Sequence, residues 1–483
     1  MNALIATSLL GLFAMISEII GLKKWVWSIS TIGIAAILGL TIYESANGLP
    51  EIFYGMIAQN RFSSVFSGLL LSITLAWFLL AKDYYREGNN ANPSDQAALI
   101  IFATVGGLIL TSYINLTMLF LGIEILSIPM FILAGSDKKN LLSNESSLKY
   151  FIMGAFASGI MLFGIALIYG ATGSFDLQQI SYGIAMTLQD SSMLFLVLIG
   201  ITFLLMGLAF KVSAAPFHFW VPDVYEGAPT VITGFMSTFV KTAAFVAFFK
   251  LFVYGFYAFR TYWPQFYSIE VPFNLQLLLL SSLTILVGNI VAVSQPNIKR
   301  TLAYSGIAQA GYMLLTILLP SQETCTALFL YAASYSLSTL VAFTVVYHVQ
   351  KAKNDYTFVA FRGLGKSNPG LAVVLTLAML SLGGIPTTLG FFAKFYLFKS
   401  ILSYNPDQLF NYLPLIILAI LGSLISLYYY FKVIISMFGG DENSAKIEIN
   451  TSDRIILYAV ASLIVLLGLL PGLLLDLGSM III

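Results

Sequence analysis

The chain has 483 residues, of which 59% are hydrophobic and 9% charged, and its mean hydropathy is +0.90. A soluble domain carries about 25% charged residues, and a chain this poor in polar groups cannot cover a water-facing surface. It therefore reads as an integral membrane protein. A net charge of +1 leaves no basic patch for nucleic acid. The single cysteine, Cys325, excludes a disulfide framework, a zinc cluster or an iron–sulfur centre on this chain. His218 and His348 are too few for a multi-haem subunit.

Segments long enough to cross roughly 30 Å of hydrocarbon fall at 3–22, 24–43, 62–81, 96–113, 114–134, 147–170, 192–213, 228–256, 274–295, 301–318, 326–348, 371–400, 413–438 and 454–478, which is fourteen. The first, Leu4–Gly21, lacks a basic start and a small-residue cleavage site, so it reads as a retained span. Between spans 4 and 5 the punctuation is Ser112-Tyr113-Ile114-Asn115 alone, and 371–400 is too long for one straight span.

Loop charge orients these spans. Connections after odd-numbered spans carry Lys23, Lys24, Lys82, Arg86, Lys138, Lys139, Lys299, Arg300, Lys351, Lys353, Arg362, Lys366, Lys446 and Arg454; even-numbered connections and their edges carry Arg61, Lys250, Arg260 and Lys399. Fourteen against four places the odd loops in the cytoplasm and both termini outside. No loop is long enough for a soluble domain, so cofactor chemistry belongs to partner subunits. The stretch Ala360–Ser367 fits a loose phosphate-loop pattern, but without a preceding strand it reads as a basic, Gly-rich turn. Asn144-Glu-Ser146 and Asn450-Thr-Ser452 match the glycosylation pattern on the cytoplasmic side, where it has no meaning.

Five basic residues remain inside spans: Lys149, Lys211, Lys241, Lys394 and Lys432. Glu124 is the deep acid; Glu18 lies near enough to the end of span 1 to reach the interface. A charge at the bilayer centre costs about 2.5–3.5 kcal/mol on insertion scales, so each is a functional candidate. Lys149 and Lys432 lie close enough to span ends to snorkel. Lys241 is about 20 Å along its span and reaches neither surface easily. The four lysines other than Lys432 outnumber the one deep glutamate, which is not the balance of structural salt bridges. Burial and neighbouring cations disfavour the ammonium form, so lysines here are expected to bind and release protons.

Lys211 is followed by Pro216, His218, Pro222, Glu226, Gly227 and Pro229, which end or kink span 7. In span 12 the break Gly383-Gly384-Ile-Pro386 precedes Lys394. Broken helices at membrane depth are tolerated where they are buried or line a wet cavity, and half-helix ends create polarity that holds ions and water. Two such spans, five apart, suggest two related halves. His218 can relay protons between Lys211 and the cytoplasm or can merely bond the broken backbone. His348 reads as an interface residue.

These residues carry a resemblance. Leu121–Pro129, Ser147–Gly170, Phe210–Thr230, Ala303–Tyr312 and Gly384–Phe395 resemble the antiporter-like, proton-translocating membrane subunits of respiratory complex I, in particular the N-type branch found in bacterial NADH–quinone oxidoreductase (NDH-1). The likeness covers roughly 95–435 and implies an all-α polytopic fold of about fourteen helices. The division it implies is N-terminal helices 1–3 (1–95), inverted five-helix repeats of spans 4–8 (96–256) and 9–13 (274–438) with helices 7 and 12 broken, and a C-terminal helix (454–483). It also implies a hydrated mid-membrane axis in which Glu124 pairs with Lys211, Lys241 connects and Lys394 is terminal. Lys149 matches the span-6 lysine of the N-type branch. The lysine at 394, and the chain's stopping at Ile483 where the L type continues into a lateral helix, favour the N type over the M and L types. Gln309 stands where some relatives have histidine; it can hold water but cannot titrate.

The implied function is proton translocation through Glu124, Lys149, Lys211, His218, Lys241 and Lys394, entering from the cytoplasm near Lys149 or His218 and driven by quinone reduction elsewhere in an H⁺-translocating NADH:quinone oxidoreductase of the bacterial inner membrane. FMN, iron–sulfur clusters and quinone are then expected on partners, no metal on this chain, and M-, K-, J-, A- and H-type subunits and lipids as neighbours. A subunit of a multi-subunit cation/proton antiporter and a non-conducting membrane scaffold are the alternatives.

Overall fold

The computed structural model describes residues 2–47, 51–86, 92–188, 190–266, 272–403, 409–440 and 446–481. The architecture is all-α and polytopic. Among the described residues twelve helices are long and apolar enough to cross a membrane, and the shorter apolar helices Asn2–Ile16 and Pro369–Gly383 occupy the first expected span and the start of the twelfth. A small antiparallel hairpin pairs Glu51–Phe53 with Ile57–Gln59.

Side-chain caps set the helix starts. Asn92, Asn115, Asn140, Asp176, Asp190 and Asn297 accept from backbone N–H groups in the first turns of Pro93–Ser112, Leu116–Ala134, Leu141–Thr172, Leu177–Thr187, Ser191–Val212 and Ile298–Leu318. Such groups have no partner within their own helix. The short punctuation between spans 4 and 5 is fixed by pairing: Tyr113 bridges to Ile57, and Asn115 to Asp176.

The helices add to or divide the expected spans in several places, and the break expected within 371–400 is present. The first helix ends at Ile16, and turns follow to Gly21. The connection after span 6 contains the helix Leu177–Thr187. Residues 371–400 form two helices, Pro369–Gly383 and Leu389–Leu402. Residues 454–478, expected as one span, are divided between Thr451–Leu469 and Gly472–Ser479, because Pro471 cannot donate to a continuing helix.

Backbones approach closely where glycine removes the side chain. A Cβ on Gly106 would lie 2.4 Å from the Leu126 nitrogen, and one on Gly288 2.3 Å from the Ala308 nitrogen. Exposed positions on the long helices are apolar: Phe151, Ile152, Phe156 and Phe163 project from Leu141–Thr172. At the other extreme, Thr230–Gly255 is enclosed by protein over its whole apolar window. Two π-helical stretches, Met236–Val240 and Leu251–Gly255, flank its central turns.

Candidate functional site

Lys211, Lys241 and Lys394 are 4%, 1% and 6% exposed, so none reaches either surface. Each lies beside an irregularity of its helix. Lys211 occupies the last turn before Ser213, which caps the helix at φ 67°. Lys241 is the first residue after a π-helical stretch, a feature frequent at functional sites. Lys394 follows the break in the twelfth span.

Lys211 Nζ donates to Ser127 Oγ at 2.6 Å, and the Ser127 hydroxyl donates on to the Ile123 carbonyl. Phe131 and Phe210 flank the ammonium at 5.3 and 5.8 Å. Glu124 lies on the same helix as Ser127, and its Oε1 is buried without a hydrogen-bond partner. The direct contact of Lys211 is the serine, where pairing with Glu124 was the expectation.

The first break is held from outside. Ala215 N–H donates to Thr284 Oγ1 at 2.8 Å, and Trp220 Nε1 donates at 3.2 Å to the Phe210 carbonyl, which also accepts from the Ser213 N–H. The Ala215–Pro216 peptide bond is cis. Pro222 lies in the first turn of Trp220–Gly227, where its missing N–H is harmless. His218 is buried between the two helices against Phe219, and its Nδ1 has no hydrogen-bond partner.

Lys241 Nζ donates to the Gly306 carbonyl at 2.6 Å, beside the Tyr335 ring. The packing around this carbonyl is close: a Cβ at 306 would lie 3.0 Å from Tyr335 OH and 3.3 Å from Lys241 Nζ. One turn on, Gln309 Nε2 donates to the Leu382 carbonyl and Tyr430 OH, both at 3.1 Å, and its Oε1 accepts from Tyr331 OH. Tyr430 OH contacts Ser305 Oγ at 2.5 Å.

At the second break Gly384 takes φ +81°, and its N–H donates to the Leu380 and Ser381 carbonyls. The next two carbonyls are taken by the axis itself, Leu382 O by Gln309 and Gly383 O by Lys394. Lys394 Nζ reaches Gly383 O at 3.1 Å and Ser423 Oγ at 2.9 Å, over the Tyr312 ring. Pro386 lies in the turn before Leu389–Leu402. The cluster of Ser305, Gln309, Tyr331 and Tyr430 thus lies next in sequence to the Gly306 carbonyl that Lys241 bonds and touches the Leu382 carbonyl beside the one that Lys394 bonds, while Lys211 is held separately at Ser127.

Lys149 lies elsewhere. Its helix begins at Leu141, which puts it two turns in and 40% exposed, bonded to Glu145 at 2.5 Å and Asp223 at 2.8 Å. Arg300 joins this cluster through Asp223 at 3.1 Å and Glu226 at 2.7 Å. Partial burial raises the Asp223 carboxyl, but Lys149 and Arg300 outweigh it and hold the group below the usual carboxylate range.

Other buried groups escape a sequence reading. Lys250, assigned to a span edge, is 1% exposed and donates to Thr111 O at the end of Pro93–Ser112, at 3.1 Å. Lys299, assigned to a loop, is equally buried on the Glu226 and Ala228 carbonyls at 2.7 and 2.9 Å. Lys432 is half-buried and donates to Gln295 O, just past the end of Pro272–Val293, at 3.2 Å. His348, expected at the interface, is buried 3.7 Å from Asp453 Oδ2. Lys250, Lys299 and Lys394 thus rest on carbonyls at helix C-termini, which carry about half a negative charge, whereas Lys211 bonds a serine hydroxyl and Lys241 a carbonyl inside a helix. Among the described residues no cluster of three His, Cys, Asp or Glu side chains could hold a metal.

Two lysine-bearing broken helices in an all-helical membrane body define an antiporter-like membrane subunit. Residues 114–425 match the family described as NADH:quinone oxidoreductase/Mrp antiporter, transmembrane. The NADH-quinone oxidoreductase subunit N of Cytophaga hutchinsonii is 50% identical over 479 residues, covering 99% of both chains. That of Flavobacterium psychrophilum is 41% identical, covering 99% of this chain and 100% of its own. A chain of respiratory complex I from Thermus thermophilus superposes with a TM-score of 0.80 at 30% identity, over 99% of both chains. A chain of the Mrp complex of a Dietzia species shares the fold, with a TM-score of 0.83 at 18% identity over 99% of this chain and 96% of its own. The chain belongs to the NADH:quinone oxidoreductase/Mrp antiporter transmembrane family, in its NADH-quinone oxidoreductase subunit N group.

Proposed function

We propose that this chain carries protons across the bacterial inner membrane as part of an H⁺-translocating NADH–quinone oxidoreductase. The supporting observation is the set of fully buried lysines bonded to a hydroxyl or carbonyls rather than carboxylates, with the Gln309–tyrosine network between two of them. An amine held this way is not locked into one charge state by a fixed counter-ion.

In this reading a proton loads Lys211 or Lys241, passes along the axis to Lys394 and leaves on the outer side. The Glu124 charge, near Lys211 but not bonded to it, times the transfer as it moves closer or away. Moving one charge against the membrane potential costs about 2.3 kcal/mol per 100 mV, and a shift of one pKa unit supplies about 1.4 kcal/mol. Quinone reduction in partner subunits supplies the energy, FMN and iron–sulfur clusters reside there, and M-, K-, J-, A- and H-type subunits are the neighbours. Both termini face outward, as loop charge indicates.

The test is substitution in the assembled complex. Lys211→Met and Glu124→Gln should each depress NADH-driven proton pumping in membrane vesicles. Near-wild-type pumping in both would remove this mechanism and leave a scaffold.

A further inference from the structure

Residues 384–388 join the two halves of the twelfth span, and two of them take left-handed backbone, Gly384 at φ +81° and Thr387 at φ +78°. Glycine adopts that region freely, but a β-branched residue there is strained and persists only where its surroundings hold it. The holding groups come from several helices. Gly468 of Thr451–Leu469 meets the loop directly: a Cβ on it would lie 2.5 Å from the Thr387 oxygen and 2.7 Å from the Leu389 nitrogen. Gly390 of the second half-helix meets the first half backbone to backbone, and a Cβ on it would overlap Ser381 O.

The buried Ser381 side chain completes the joint. Its Oγ accepts from the Gly390 N–H at 3.3 Å and from the Ser338 hydroxyl of Gln322–Lys353 at 2.8 Å. Thr388, at the start of Leu389–Leu402, makes no side-chain capping bond. A first-turn N–H that has no partner within its own helix is thus met by the other half. In the opposite direction Lys394 Nζ donates to Gly383 O. The two half-helices cap each other across the break, and Lys394 stands one turn on from Gly390.

Ser338 ties this joint to the axis. Tyr331, Tyr335 and Ser338 are spaced four and three apart, so they share one helical face. Tyr331 OH donates to Gln309 Oε1, the Tyr335 ring lies beside Lys241, and Ser338 holds Ser381.

We propose that Ser381 is a positioning residue for proton transfer at Lys394: its oxygen, held by Ser338, fixes the second half-helix where the Lys394 amine meets Gly383 O. This rests on the transport reading and adds a residue to it. Ser381 handles no transferred proton and acts through the Gly390 backbone.

The test is non-additivity and rescue in the assembled complex, read as protons translocated per NADH oxidised in sealed vesicles. Ser381→Ala removes the acceptor of both bonds and should lower the ratio several-fold. Ser338→Ala removes one bond and should lower it less. Because Ser338 acts only through Ser381, the double variant should fall no further than Ser381→Ala alone. Ser381→Thr, or Ser381→Cys where the threonine variant does not assemble, keeps an acceptor and should recover most of the ratio. A wild-type ratio in Ser381→Ala overturns the proposal. So does a loss that neither conservative variant recovers, or losses that multiply in the double variant, since packing alone gives those. Where Ser381→Ala does not assemble, a lowered ratio in Ser338→Ala restored by Ser338→Thr supports the proposal, and a wild-type ratio in Ser338→Ala overturns it. A wild-type ratio in Ser381→Ala with pumping lost in Lys211→Met rejects the positioning role alone. Wild-type pumping in both Lys211→Met and Glu124→Gln rejects the transport reading.

Discussion

Lys394 donates from Nζ to the carbonyl of Gly383 at 3.1 Å, so the cation of one half-helix rests on the C-terminus of the other. The break in the twelfth span is therefore a binding site for an ammonium group made from backbone. Gly384 permits it: at φ +81° a side chain is strained, and a Cβ would lie 2.9 Å from Lys394 Cδ. Gly384→Ala is predicted to cost about 1–2 kcal/mol for the left-handed backbone and to push the lysine off its carbonyl. Thermal inactivation of the purified complex should shift downward, and proton pumping should fall with it.

Ser127, one turn on from Glu124, is the direct contact of the Lys211 amine. Ser127→Ala removes the hydroxyl and leaves Lys211 without the bond seen at 2.6 Å. An unmet buried donor costs about 1–3 kcal/mol, more when charged, so pumping should slow several-fold. Ser127→Thr keeps the hydroxyl and should restore most of the rate, measured as proton uptake against NADH oxidised.

Gln309 makes three bonds, to Leu382, Tyr430 and Tyr331. Gln309→Leu removes all three bonds, leaving Tyr430 its contact with Ser305, and should interrupt transfer between Lys241 and Lys394. Gln309→His retains one donor and one acceptor and should recover part of the pumping rate. Equal, wild-type pumping in both variants would show that the network is packing only.

Lys250 offers the contrasting case of a buried lysine off the axis. It caps the C-terminus of Pro93–Ser112, an interaction of up to about 2 kcal/mol in partly buried geometry. Lys250→Met should lower the stability and yield of the assembled complex while leaving protons pumped per NADH unchanged.

Much of this arrangement is legible from the residues. Hydropathy finds the spans, Pro216 and the Gly383–Pro386 run mark the breaks, and Lys211, Lys241 and Lys394 stand out as charges in oil. Partnership is not legible. Ser127 in place of Glu124 as the direct contact of Lys211, and the burial of Lys250 and Lys299 against helix ends, depend on which helix faces which, and hydropathy along one helix carries no information on its neighbours. Gln309 was visible as a departure from histidine, but its tyrosine partners come from two other helices. Pro471 was a signal of its own: a proline well inside an apolar stretch marks the division of the last span.

The central claim is that the axial lysines alternate between charged and neutral forms. Arginine stays protonated at any working pH, so Lys241→Arg keeps the charge and removes the alternation. Proton translocation by the assembled complex carrying Lys241→Arg should be lost as fully as in Lys241→Met, measured in sealed vesicles under NADH oxidation. Pumping at the wild-type rate in Lys241→Arg would contradict the account.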